Sequence, residues 1–585
     1  MQSTVARNGA YFPGRILFMQ FMRIKSGILF LLLCGIPFLL LAGAEVTLRA
    51  IGYGQDYALF IPCPDKESGT YTVNSHFYAR NFYTELKKNI EETARWGTVL
   101  QKKKKEDVFR IFMFGGSVAM GEDPDKAFNI PRFLEVMLQE AFPEVHFEIC
   151  NLACFALGSA VMSDAAEQAS CFSPDLYLIY MGNNEYLGTM LSQWHRNGMP
   201  HKAWLVRCYY RAQQYRLVQL VQSFFPEKES PAPKDWDDFY TNAFKLKAGT
   251  AGRERMYRNY EKNLQDMCRS ARRGGADVLL STVGTNIAAL PPMGSAHREG
   301  LAEEERVRWE QYFAAGCALL PQEPQQALDQ FQKAMEIDPD PAKLHFHMGE
   351  AFAALNRLAE AKSAFQEACD RDIYPVRADS HINAAIRQKA QEKDGATVWL
   401  ADVEAAFAAA SPIGIAGQEF CYDFVHQCVE GNYRIASVMF DAVADAVALR
   451  TGQMRQKEKL DYEHCCRSLG MSPLLYVRCV NAILDDQEHL RELFPDYLPG
   501  RFTQLKKEAE AALPESAVDD ALEAIDSALE IRGEDLQLRR LRCEILWDAG
   551  RAKEMHQEAQ KILAHFGDTP LGAFTARSFI LADGQ

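Results

Sequence analysis

An excess of positive charge is what this sequence most plainly lacks. Its 78 Asp and Glu outnumber its 64 Lys and Arg, giving a net charge of -14 over 585 residues, whereas a general nucleic-acid binder presents a basic face. No nucleic-acid partner is expected, and the short basic run Lys102 to Lys105 reads as a solvated edge ahead of a strand. Regularly paired cysteines are missing as well. The 15 cysteines are odd in number, and Cys150 with Cys154, Cys421 with Cys428, and Cys465 with Cys466 beside His464 all lack the second ligand pair of a structural zinc site. Buried free thiols are the expectation, and no metal or cofactor is. A phosphate-binding loop is excluded too, because no G-K-[ST] follows the glycines.

What is present begins with one apolar run. Gly27 to Ala44 are 18 consecutive uncharged, mostly apolar positions, which at ~1.5 Å per residue just cover a bilayer core of roughly 30 Å with help from the flanks. Arg7, Arg15, Arg23 and Lys25 precede it and no acidic residue does. The positive-inside rule therefore places the N-terminus in the cytoplasm and the remainder across the membrane. Ala42, Gly43 and Ala44 also fit a cleavage site, so a retained anchor and a removed signal peptide both stand.

The chain is organised around Val108 to Gly121, VFRIFMFGGSVAMG. A short β-prone apolar run stopped by two glycines reads as a buried parallel strand ending in a tight turn, with Arg110 near enough to its start to reach solvent. Ser117 follows the turn and opens a helix. That is where open α/β sheets bind ligands and where free N–H groups meet an oxyanion. Four more strand-like runs follow, His146 to Leu152, Leu176 to Met181, Asp277 to Val283 and Thr397 to Val403, separated by helical patterns. Such alternation gives an α/β fold, a parallel five-stranded sheet between helices. Trp204 to Phe225 suits a lid, a membrane-surface helix or an ordinary packed amphipathic helix, the last being favoured.

A second kind of order interrupts the sheet. Ala327, Phe331 and Ala334 recur 34 positions later as Ala361, Phe365 and Ala368, with Gly349 inside the second unit. The period and residue sizes resemble tetratricopeptide repeats. Ala521, Ile525 and Ala528, then Leu541, Ile545 and Leu546, suggest a further helical pair near the C-terminus. The expected organisation is a cytoplasmic segment 1–26, the anchor or signal peptide 27–44, a lead-in 45–105, a first catalytic part 106–300, a helical insertion 301–390, a last catalytic part 391–450 and a helical region 451–585.

Ser117 needs a base, and Asp423 and His426 supply a D-x-x-H pair in YDFVHQCVEGNYRIA. A serine hydroxyl is a weak nucleophile until an imidazole takes its proton, and the carboxylate holds that imidazole in the right tautomer. The turn NLACFALGS offers a backbone N–H, and Asn184 in YMGNNEY offers a side-chain N–H₂. With the N–H of Ser117 these give three donors for a developing oxyanion.

With these elements in order, the chain resembles the GDSL or SGNH hydrolase superfamily, in particular bacterial membrane-anchored members carrying tetratricopeptide repeats. The resemblance covers about residues 108–190 and 276–445. It implies a flavodoxin-like SGNH fold, Ser117 as nucleophile, Asp423 and His426 as the rest of the triad, and Ser117, Ala156 and Asn184 as the oxyanion hole. The family's Asp before the serine is Gly116 here, its second-block glycine falls on Ala156, and Glu185 replaces the common Asp after Asn184 without an assigned role. The expected activity is hydrolysis of an acyl or acetyl ester outside the cytoplasm, by a single-pass protein of the bacterial inner membrane. Partners would be an acylated glycan or lipid, and a protein bound by the repeat helices. Two alternatives stand beside it: O-acyl transfer to a cell-envelope polysaccharide, and an inactive repeat scaffold. An α/β-hydrolase elbow is disfavoured, because Ala119 takes the place of the last glycine of G-x-S-x-G.

Overall fold

A computed structural model of the chain describes residues 36–63, 69–82, 99–121, 125–186, 202–224, 245–392, 397–493, 500–567 and 570–582. Two compact units are distinguished, residues 1–57 with 208–230 and residues 58–207 with 231–585.

The larger unit is built on a mixed α/β core. Three short strands, β1 (Phe60–Pro62), β2 (Thr70–Val73) and β3 (Val99–Gln101), form an antiparallel sheet within the lead-in, which the sequence left without regular structure. The main sheet holds β4 (Val108–Gly115), β5 (His146–Asn151), β6 (Leu176–Tyr180), β7 (Asp277–Ser281) and β8 (Val398–Ala401), all parallel, in the order β5-β4-β6-β7-β8. β4, β6 and β7 are central strands covered on both faces, which is why they read as near-continuous apolar runs rather than alternating ones. Helices Ser159–Ala169, Ala251–Arg273 and Ser380–Gln391 pack with one another along the sheet, and helices Ile130–Ala141 and Val429–Thr451 form a second packed pair. The chain leaves β4 for β5 and then returns across β4 to β6. This reversal opens a crevice at the carboxyl ends of β4 and β6.

Arg110 departs from expectation. It does not reach solvent but is fully buried, because its neighbour in register on β5 is Glu148, whose carboxylate accepts from Arg110 Nε at 2.6 Å, while the Phe172 carbonyl accepts from Nη1. A paired guanidinium is what lets a charge sit in a sheet interior.

Between β7 and β8 lie four consecutive helices, Glu303–Leu319, Pro324–Ile337, Ala342–Ala354 and Leu358–Asp370, each packed on the next. Ala327, Phe331, Ala334, Ala361, Phe365 and Ala368 are all buried between them. A Cβ on Gly316 would stand 2.4 Å from the Phe331 ring and one on Gly349 2.8 Å from the Phe365 ring. Each phenylalanine thus fills the gap that a glycine leaves on the preceding helix, and Gly316 is the first unit's counterpart of Gly349. Helix Ser380–Gln391, assigned by sequence to the insertion, packs on β7 and β8 instead: Asn383 accepts from Val283 N–H and donates to its carbonyl. In the C-terminal region Ala521, Ile525, Ala528, Leu541, Ile545 and Leu546 are buried on helices Ala517–Arg532 and Leu536–Asp548.

The smaller unit contains a helix over residues 36–50 and helix Arg216–Ser223. Residues 27–35 of the apolar run lie outside the described residues, as does the segment EKESPAPKDWDD. Among the described residues no helix is long and apolar enough to cross a membrane. The 14 described cysteines are all free thiols.

Candidate active site

Ser117 opens a four-residue helix, Ser117–Met120, directly after β4. The glycine before it is required by space and not by backbone angle. Gly116 has φ -93, open to any residue, but a Cβ there would stand 2.2 Å from Asn184 Nδ2. The absent side chain lets the Asn184 amide approach the backbone beside the serine. Asn184 follows β6 through Gly182, whose φ of 156 suits only glycine, and where a Cβ would meet the Ile382 side chain at 2.6 Å. The amide Nδ2 donates to the Leu157 carbonyl at 3.3 Å, so the ends of β5 and β6 are joined through it.

The third element arrives from far along the chain. Ser117 Oγ is 2.6 Å from His426 Nε2, and His426 Nδ1 is 2.6 Å from Asp423 Oδ2. The other oxygen, Asp423 Oδ1, accepts the backbone N–H groups of Val425 and His426 at 2.7 and 2.6 Å, a local turn that fixes the carboxylate's direction. Burial alone would raise the Asp423 pKa, but the His426 charge and these hydrogen bonds outweigh it and hold the carboxyl below its usual range. The loop is fastened from outside as well. Asn286, just beyond β7, donates its side-chain amide to the Asp423 carbonyl at 3.1 Å and its backbone N–H to the Phe424 carbonyl at 3.0 Å. Tyr422 stacks on the imidazole with ring centroids 5.9 Å apart. Its carbonyl accepts from the buried Gln487, and its ring packs with Val480, Ile483 and Phe502 of the C-terminal helices.

Among the described residues, a hollow of about 290 Å³, its open mouth included, lies at the serine and is lined by Gly116, Leu157, Gly182, Asn184, Glu185 and Val283, among others. Ala156 does not line it, although its neighbour Leu157 does. Ala156 stands at φ 57, in the left-handed region, where a non-glycine residue costs ~1–2 kcal/mol. The turn has a glycine's conformation with an alanine in it.

Glu185, given no role by the sequence, has one. Its carboxylate accepts the Ser159 N–H at 2.9 Å and the Ser159 Oγ–H at 2.6 Å, and Asn263 donates to that same hydroxyl at 3.0 Å. The neighbour of Asn184 thereby clamps the first residue of helix Ser159–Ala169, at the end of the turn that holds Ala156. Burial raises its pKa to about 7, against the opposing effect of the two Ser159 hydrogen bonds. Asn286 and Gln487 were also invisible in the sequence, since a lone amide in a loop carries no pattern; Glu185 alone could have been suspected, as a carboxylate next to the oxyanion candidate.

Neither a protein-family description nor a curated protein matches the chain. Among solved structures, one similar to it is the crystal structure of a protein from Parabacteroides merdae ATCC 43184 described as a GDSL-like lipase. It shares 13% identity at a TM-score of 0.27, over 57% of this chain and 94% of that one. At that identity and score the likeness carries no weight of its own.

Proposed function

We propose that this protein is a serine esterase of the SGNH type that removes an acyl or acetyl group from an ester outside the cytoplasm. The observation that carries this reading is the hydrogen-bonded line from Ser117 Oγ through His426 to Asp423, with 2.6 Å at each step. In the proposed reaction Ser117 Oγ attacks the ester carbonyl carbon while its proton passes to His426 Nε2. The carbonyl π bond opens to an oxyanion facing the Ser117 N–H, the Asn184 amide and an N–H of the turn at Ala156. As that oxygen re-forms its double bond, the alcohol leaves with the proton from His426. Water then enters by the same route and frees the acid. Asp423, ionised and fixed by its own turn, stabilises the imidazolium without taking the proton.

In the same proposal residues 27–44 hold the chain at the bacterial inner membrane, with the catalytic part on the far side, and the helices of the insertion act as tetratricopeptide-type repeats that engage a protein partner. The test is hydrolysis of p-nitrophenyl acetate, butyrate and octanoate by the full-length protein. At least one of these esters should be cleaved, and Ser117→Ala should be inert and no longer labelled by a fluorophosphonate. Equal rates in wild type and Ser117→Ala would end the reading.

A further inference from the structure

Helix Arg216–Ser223 leaves part of its apolar side open. Around helix Arg216–Ser223 the apolar residues Leu217, Val218, Leu220, Val221 and Phe224 fall on one side and Arg216, Gln219, Gln222 and Ser223 on the other, at 100° per residue. It is the polar side that is engaged within the unit. Gln219 donates to the Gln55 carbonyl at 2.9 Å and accepts the Gln55 N–H at 2.8 Å, and Tyr53 donates to Ser223 Oγ at 3.2 Å. The apolar side is only partly covered: Leu217, Val218 and Leu220 are half-buried, none of the helix's residues is buried, and Val221 and the adjacent Phe224 are 51% and 72% exposed.

The depth at which this helix sits is fixed by Glu45. That residue stands one position after the apolar run, and its carboxylate accepts the N–H groups of Arg216 and Leu217 at 3.1 and 2.9 Å, with Arg49 Nε at 2.7 Å. Helix Arg216–Ser223 therefore starts level with the end of the run. On the other side of Glu45, Phe38, Leu39, Leu40 and Leu41 are each more than half exposed. Four consecutive residues span every face of a helix, so one protein groove cannot cover them, whereas lipid can. Residues 208–224 carry Arg211 and Arg216 and no acidic side chain, in a chain of net charge -14, a local charge that complements anionic headgroups.

We propose that Tyr215–Phe224 is a second membrane contact, an interfacial helix whose apolar side enters the headgroup boundary of an anionic bilayer beside the emerging anchor. Such helices lie in the interface plane with their apolar face sunk by ~5–10 Å. The inference rests on the membrane anchoring proposed above for residues 27–44, and its test separates the two. The full-length protein would be reconstituted in vesicles of phosphatidylethanolamine and phosphatidylglycerol, with a genetically encoded fluorescent amino acid at position 38, 221 or 224, one at a time. p-Nitrophenyl acetate hydrolysis would verify that each variant is folded. Nitroxide carried near the lipid headgroup should quench most of the fluorescence at 221 and 224. Nitroxide deep in the acyl chains should quench 38. Quenching at 38 with none at 221 and 224 would overturn the interfacial helix and leave the anchor standing. Quenching at 221 and 224 without any at 38 would support the interfacial helix while removing the anchor. No quenching at any of the three would overturn both.

Discussion

With Ser117 Oγ already 2.6 Å from His426 Nε2, replacing Asp423 tests orientation and not nucleophilicity. Asp423→Asn should keep the fold and lower kcat on p-nitrophenyl acetate by about 10⁴, because the amide favours the wrong imidazole tautomer. Asn184→Ala should lower kcat by ~10²–10³ with KM little changed, as for loss of one oxyanion donor; a rise in KM at constant kcat would make it a binding residue instead. Glu185 supplies a prediction in pH. Its folded pKa of about 7 lies above the ordinary carboxyl value of about 4.5, so folding favours the protonated carboxyl. That contribution to stability is full below about 4.5 and is lost as pH rises through about 7. The thermal midpoint of Glu185→Gln minus that of wild type should therefore increase between pH 5 and pH 8. A pH-independent difference would show that Glu185 titrates normally. Asp423 and Asn184 were candidates in the sequence already, but the raised pKa of Glu185 was not legible there, since a carboxylate's environment depends on a serine 26 positions away in sequence.

At the scale of elements, the five strands of the main sheet could be read with ends within about two residues of those observed, because the covered strands β4, β6 and β7 are mostly apolar runs ended by turn residues. β1, β2 and β3 escaped notice for the opposite reason: at three or four residues each they are too short to show a period. The Ala-Phe-Ala repeat was readable because small and large residues must alternate where helices meet. Gly316 was not, because a glycine inside a helix has many explanations until its neighbour is known. Phe331→Ala should destabilise the insertion by roughly 3–5 kcal/mol, as for other buried aromatic truncations, seen as a lower thermal midpoint. The turn after β4 gives a sharper expectation. Gly116→Ala places a methyl where the Asn184 amide now lies, so kcat should fall toward the Asn184→Ala level while the thermal midpoint moves little. Unchanged kcat would mean that the amide need not stand there.

For the whole molecule, the C-terminal helices are part of what holds the histidine. Gln487, fully buried, donates to the Tyr422 carbonyl, and Phe502 lies edge-on to the Tyr422 ring that stacks on His426. Gln487→Ala should lower kcat per folded molecule and steepen its temperature dependence; a lower thermal midpoint with unchanged kcat would make the contact purely structural. Periodicity revealed that helices follow residue 450 but not where they dock, because docking is written in single side chains. One feature of the site also bears on time. Ser117 and His426 are separated by 309 positions, and translation adds ~5–20 residues per second, so the serine emerges roughly 15–60 s before its base can exist. Until then it is an ordinary alcohol that modifies nothing it meets. On the proposed mechanism the onset of ester cleavage would date the moment when the two distant parts of the chain close on each other, and a stopped-synthesis series read by fluorophosphonate labelling would measure that moment directly.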